Sequence, residues 1–150
     1  DGDLGLVNQI GDDVFEVADI CATVEASGLL DKIGVDPSGL GGIMEALVQS
    51  DIPEDKIIGI SQGWKMTGAI KTAERKLAEG VLIHGGQPLM AWCAGNAKIE
   101  PRGNAVVITK QAAGSAKIDP LMAMFNAVTL MSLNPESENV DDFINNFIAG

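Results

Sequence analysis

DKIGVDPSGLGGIME, residues 31–45, contains the strand-to-helix turn on which the fold depends. Ile33, Gly34 and Val35 read as the end of a buried strand, Pro37 and Ser38 break it, and Gly39, Gly41 and Gly42 let the backbone turn into an apolar-periodic helix over 42–49. Asp36 is thereby delivered to the strand's C-terminal edge, the edge that faces the ligand crevice of open α/β sheets. Downstream, KIIGIS at 56–61 reads as a second buried strand. One helix between two apolar strands is the signature of a parallel βαβ pair. A second carboxylate stands at a similar junction in KIDPLMAMFNAV, residues 117–128, where Asp119 directly precedes Pro120 at the start of a long apolar helix.

The rest of the chain fills in around these two points. Residues 14–26 repeat apolar side chains at helical spacing, with Asp12 or Asp13 as cap and Gly28 as stop. In 67–79, Ile70, Ala73 and Leu77 form an inner stripe, while Lys71 and Arg75 lie one turn apart on another face and Gly80 ends the helix. Residues 81–84 read as a short extended piece, and Pro88 opens a helix carrying Leu89, Trp92 and Cys93, with Trp92 in the core. Residues 98–101 and 105–110 flank Arg102, Gly103 and Asn104 as a hairpin. Small residues at 111–116 connect it to the helix over 120–132, whose packing face is Met122, Phe125, Val128 and Thr129. A polar break at 134–139 and a short amphipathic helix at 140–148 close the chain.

With 150 residues and 46% hydrophobic content the chain has one domain's worth of core. It has no stretch near the ~20 apolar residues of a membrane span and no signal-peptide pattern at its start, so a cytoplasmic location is expected. Cys21 and Cys93 sit in apolar helical patterns and read as buried free thiols. Net charge is −11, but it is unevenly spread: residues 1–31 hold eight acids and no Lys or Arg, whereas 32–133 hold nine acids and ten bases. A local DNA-binding face is compatible with that middle stretch.

Two aspartates at element ends are a common way to hold Mg²⁺ or Mn²⁺, which take hard oxygen ligands from a few carboxylates and several waters. From spacing alone the plainer reading is favoured, because Asp before Pro is a frequent turn or cap choice. The glycine turn at 39–42 fits a phosphate cradle or a plain strand-to-helix turn; it lacks both the dinucleotide fingerprint and a Walker loop. His84, beside Gly85 and Gly86, either approaches a reacting phosphate or fills a turn. Lys65, Lys71, Arg75 and Lys76 form the densest basic cluster and the hairpin adds Lys98, Arg102 and Lys110; Glu74 and Glu79 dilute it, so a solvated face is the alternative to phosphate binding. No aromatic platform for stacking single-stranded bases is expected, since Trp64 and Trp92 are the only large candidates and Trp92 reads as core.

The run from 34 to 131, with GVDPSGLGGIMEAL, GISQGWKMTGAIKTAERKLAEG, LIHGGQPLMAWCAGNAKIEPRGNAVVITK and KIDPLMAMFNAVTL, resembles the nuclease domain of the large terminase subunit of tailed bacteriophages and prophages. The motifs are short, but their order is specific, and they cover about two thirds of the chain. The resemblance implies an α/β fold that is ribonuclease H-like, a central mixed sheet flanked by helices. It also implies an endodeoxyribonuclease that cuts concatemeric viral DNA with two divalent metals, Mg²⁺ or Mn²⁺. By position, Asp36 and Asp119 match catalytic metal ligands. Lys71, Arg75 and Lys110 are then candidate DNA contacts and His84 an active-site neighbour. Expected partners are double-stranded viral DNA, the portal protein and the small terminase subunit, in the host cytoplasm and without a membrane.

The chain departs from that pattern at its start. Such domains begin with a strand carrying the first aspartate, and no segment here resembles it, although Asp1, Asp3, Asp12 and Asp13 are available substitutes. With no Walker motif, residues 1–150 read as one nuclease domain, the C-terminal part of a large terminase, lacking the ATPase domain and the first strand or strands and poorly active as a fragment. Two other classes fit the residues: a non-catalytic docking module of the packaging motor, from the acidic ends, and a flavodoxin-like nucleotide binder, from the glycine turn.

Overall fold

The computed structural model describes residues 4–110 and 116–133. Helix α1 (Asp12–Ala26) begins after Gly11, whose φ of 100° is open to glycine, and carries Asp12 and Asp13 in its first turn, where the helix dipole favours negative charge. Neither side chain caps the helix. Gly28, in the left-handed region, ends it as expected. Strand β1 (Ile33–Val35) leads through a 3-10 turn (Pro37–Gly39) into α2 (Leu40–Gln49) and then β2 (Ile57–Gly59). β1 and β2 pair in parallel with Ile33, Gly34 and Val35 opposite Ile57, Ile58 and Gly59, and the Ile60 amide extends the ladder to the Val35 carbonyl at 2.8 Å.

A 3-10 turn over Gly63–Met66, not foreseen from spacing, precedes α3 (Thr67–Ala78). The segment expected to be extended at 81–84 belongs to no strand. Helix α4 (Pro88–Gly95) follows, then the antiparallel hairpin of β3 (Ala97–Arg102) and β4 (Ala105–Lys110), turned by Gly103 at φ 61° and Asn104. Helix α5 (Asp119–Met131) completes the described chain. The connector at 111–115, the break at 134–139, the helix expected at 140–148, and Asp1 and Asp3 lie outside the described residues.

Two cores form. In the first, Ala18 of α1 meets Ala46 and Leu47 of α2 and Ile52, with Val14, Cys21, Ile33 and Ile57 packed around them. In the second, Met66, Ile70 and Ala73 face Leu121, Phe125 and Val128 of α5, and the hairpin closes this core with Ala97, Val106 and Ile108. The half-buried Glu25–Lys56 ion pair, at 2.8 Å, ties the end of α1 to the entry of β2. The two cores meet where α5 lies on β1: a Cβ built on Gly34 would stand 3.1 Å from Ile60 Cγ1, 3.2 Å from Leu130 Cδ1 and 3.4 Å from Asn126 Cβ. Glycine is what allows the helix to come this close to the strand.

Three expectations need correction. The strands of the described residues form two separate two-stranded sheets, one parallel and one antiparallel, rather than one central mixed sheet: α5 contacts β1, and the hairpin packs on the core that α3 and α5 share instead of pairing with β1 or β2. Trp92 is 49% exposed and Leu77 is exposed as well; α4 turns Cys93 inward instead, and α3 is covered only along Ala69, Ile70 and Ala73. Cys93 is buried and Cys21 half-buried, both as free thiols, and burial pushes the Cys21 thiol up from its ordinary pKa.

Candidate functional site

Asp36 follows the last residue of β1 and is exposed at the entry to α2. Its Oδ1 accepts the Ser38 amide N–H at 2.9 Å and the Ser38 hydroxyl at 2.7 Å. The turn reading of this aspartate therefore holds: the carboxylate closes an Asx turn over Pro37. Those bonds favour the ionised form, holding the carboxyl below its ordinary pKa against a small opposing desolvation.

Asp119 behaves differently. It is the first residue of α5, exposed, and makes no capping bond; the residue ahead of the helix is Ile118, which is buried. Only its charge serves the helix start. Asp36 and Asp119 thus stand at the ends of two elements, β1 and α5, that pack on one another. Among the described residues no group of three or more His, Cys, Asp or Glu is assembled for a metal, so Asp12 and Asp13 do not complete a ligand set with this pair. Two carboxylates with open coordination still suit a hard divalent ion, which keeps several waters and is held by one or two protein carboxylates plus substrate phosphate.

The loop before α4 reaches the same end of α5. Gln87, Leu89 and Met90 share an open cleft with Pro120, and Asn96, just past the end of α4, donates its side-chain Nδ2 to the Lys117 carbonyl at 3.1 Å. His84, exposed, accepts the Gly86 N–H on Nδ1 at 3.1 Å, which is the turn-filling alternative. Lys71, Arg75 and Lys110 are all exposed, and Arg75 is partly engaged by Glu79 at 3.6 Å.

One polar feature escaped the sequence reading. Asn126, 7% exposed, lies seven residues after Asp119 on the stripe of α5 that faces Gly34, and its Oδ1 accepts Gln62 Nε2 at 3.1 Å. Gln62 also donates to the Ile60 carbonyl at 2.8 Å, so this amide pair locks the exit of β2 to α5. The available signal was a lone amide in the apolar run MAMFNAV.

No solved structure matches the chain. Over 115 residues the chain is 28% identical to Protein YmfN of Escherichia coli (strain K12), a match that covers 75% of this chain and 25% of that protein. The chain therefore spans about a quarter of the length of this curated relative. A profile of the terminase large subunit endonuclease domain matches residues 12–134, nearly the whole described chain and both aspartate junctions, and the chain belongs to that family.

Proposed function

We propose that this chain is a metal-dependent DNA endonuclease domain of a viral genome-packaging terminase, with Asp36 and Asp119 as its metal-binding carboxylates. The observation that carries the reading is the placement of two exposed aspartates at the ends of β1 and α5, elements in direct contact, in a chain of the terminase endonuclease family. Mg²⁺ or Mn²⁺, when bound, supplies Lewis acidity toward a phosphodiester and lowers the pKa of its bound water. Asp36 offers Oδ2, since Ser38 occupies Oδ1. Asp119, free of any capping bond, contributes the second carboxylate. Lys71, Arg75 and Lys110 bind phosphates without regard to sequence, and His84 lies in the loop leading to Gln87 at the start of α4.

Nicking of supercoiled plasmid in Mn²⁺ tests the reading. Asp36→Asn and Asp119→Asn should each abolish cleavage; wild-type chain with no metal-dependent nicking, or variants as active as wild type, would overturn it. Portal protein and small terminase subunit are the proposed partners. A second reading, a docking module without catalysis, draws on one flank of α1, where Val17, Ile20 and Val24 are exposed at helical spacing among acidic residues. It predicts that both Asn variants leave complex formation intact and that no plasmid is nicked.

A further inference from the structure

Trp64 is 64% exposed on the 3-10 turn that precedes α3. Burial of an indole contributes heavily to a core, so one left in solvent stands ready for something else. Gly63 and Trp64 form one wall of an open cleft whose other wall is Arg102, Ala105 and Val107 of the hairpin. The walls are fixed to each other by Thr67: its hydroxyl lies 2.6 Å from the Trp64 carbonyl, to which it donates, and accepts the Val106 N–H at 3.1 Å.

The rim of this slot is cationic. Lys65 Nζ stands 5.9 Å from the Trp64 ring centroid. Arg102 is exposed and shares the single carboxylate of Glu100 with Lys98, at 3.6 and 3.3 Å, which leaves the hairpin tip net positive. The surrounding stretch, residues 62–110, carries seven Lys and Arg against three Glu, a local +4 within a chain of net −11. An aromatic plane beside an apolar slot with cations at its mouth complements a nucleobase and its flanking phosphates. An apolar side chain from a protein partner would fill the slot but leave the net positive charge of Lys65 and the hairpin tip unmatched.

We propose that the cleft between Trp64 and Arg102 binds one unstacked nucleotide of a DNA strand, its base on the Trp64 indole and its phosphates against Arg102 and Lys65. The proposal rests on the nuclease reading and sharpens it: the chain grips a locally opened strand in addition to duplex phosphates.

The test uses the 150-residue chain with Trp92→Phe, so that Trp64 alone emits, titrated at low salt in EDTA with a thymidine oligonucleotide of about twelve residues, inside the range of single-strand site sizes. The oligonucleotide should quench Trp64 emission, and a blunt duplex should quench it much less. By anisotropy, Trp64→Leu should weaken oligonucleotide binding about 5- to 100-fold while Trp64→Phe retains most of it. Arg102→Ala should lower the salt slope by about 0.7, the value for one phosphate contact on a single strand. Oligonucleotide binding without quenching, unchanged affinity in Trp64→Leu, or no DNA binding at low salt would each overturn the proposal. If Trp64→Leu loses its fold by circular dichroism, the quenching and the Phe variant decide. Because EDTA stops cleavage, quenching in a chain that never nicks plasmid would leave this site standing and remove only the nuclease reading, whereas nicking without quenching would remove only the site.

Discussion

Asp119 opens α5 without capping it, so its removal tests chemistry separately from folding. Asp119→Asn should change stability by no more than about 1 kcal/mol, the scale of a charge near a helix N-terminus, while Mn²⁺ affinity measured calorimetrically should fall at least about tenfold, or 1.4 kcal/mol. Global loss of structure would show that the side chain is needed for the helix start after all. Asp36 is held by two bonds from Ser38, and those bonds stabilise its ionised form. In the metal-free chain its carboxyl should therefore stay ionised as pH falls until below the ordinary aspartate value of 3.8. Ser38→Ala should move that midpoint upward, read by carboxylate NMR; an unmoved midpoint would show that the Asx turn is not what lowers it.

Among elements, the contact of α5 on β1 is the one that brings the two cores together, and Gly34 is its tightest point. Gly34→Ala should cost about 1–3 kcal/mol in urea unfolding, since the new methyl would meet Ile60 and Leu130 at just over 3 Å. A neutral result would mean that α5 moves freely off the strand. Thr67→Val should cost about 1–3 kcal/mol by orphaning the Val106 amide, and should loosen the hairpin from α3, seen as faster amide exchange along β4. The βαβ pair and the hairpin were legible because Ile33–Val35, Ile57–Gly59 and the Gly103–Asn104 turn carry local signals: short apolar runs and a residue that tolerates positive φ. What was not legible depends on tertiary cover. An apolar stripe does not say how far a neighbour extends along it, which is why Leu77 and Trp92 were assigned inward. Nor does periodicity show whether two strand pairs join into one sheet, or that Asn126 turns inward to meet Gln62. The junction of Asp119 was readable as a position, while its lack of a capping bond required the structure.

For the molecule as a whole, charge and the proposed pair of metal-binding carboxylates are the testable features. Lys71, Arg75 and Lys110 are its phosphate contacts in this account; their triple Ala variant should lower duplex affinity and reduce the salt slope by up to about 3, whereas unchanged affinity at low salt would mark them as merely solvated. With two carboxylates and no third ligand among the described residues, cleavage should be slow in Mn²⁺ and slower in Mg²⁺, and faster when an upstream segment bearing a further aspartate is joined to the chain. Equal rates would mean that one of the acidic residues near the start already completes the site. Anomalous diffraction at the manganese edge, from a crystal soaked in Mn²⁺, decides whether Asp36 and Asp119 hold one metal. A peak about 2–2.5 Å from oxygens of both carboxylates is expected; a peak elsewhere, or carboxyl groups more than about 10 Å apart where paired ions stand only ~4 Å apart, would rule out a shared metal.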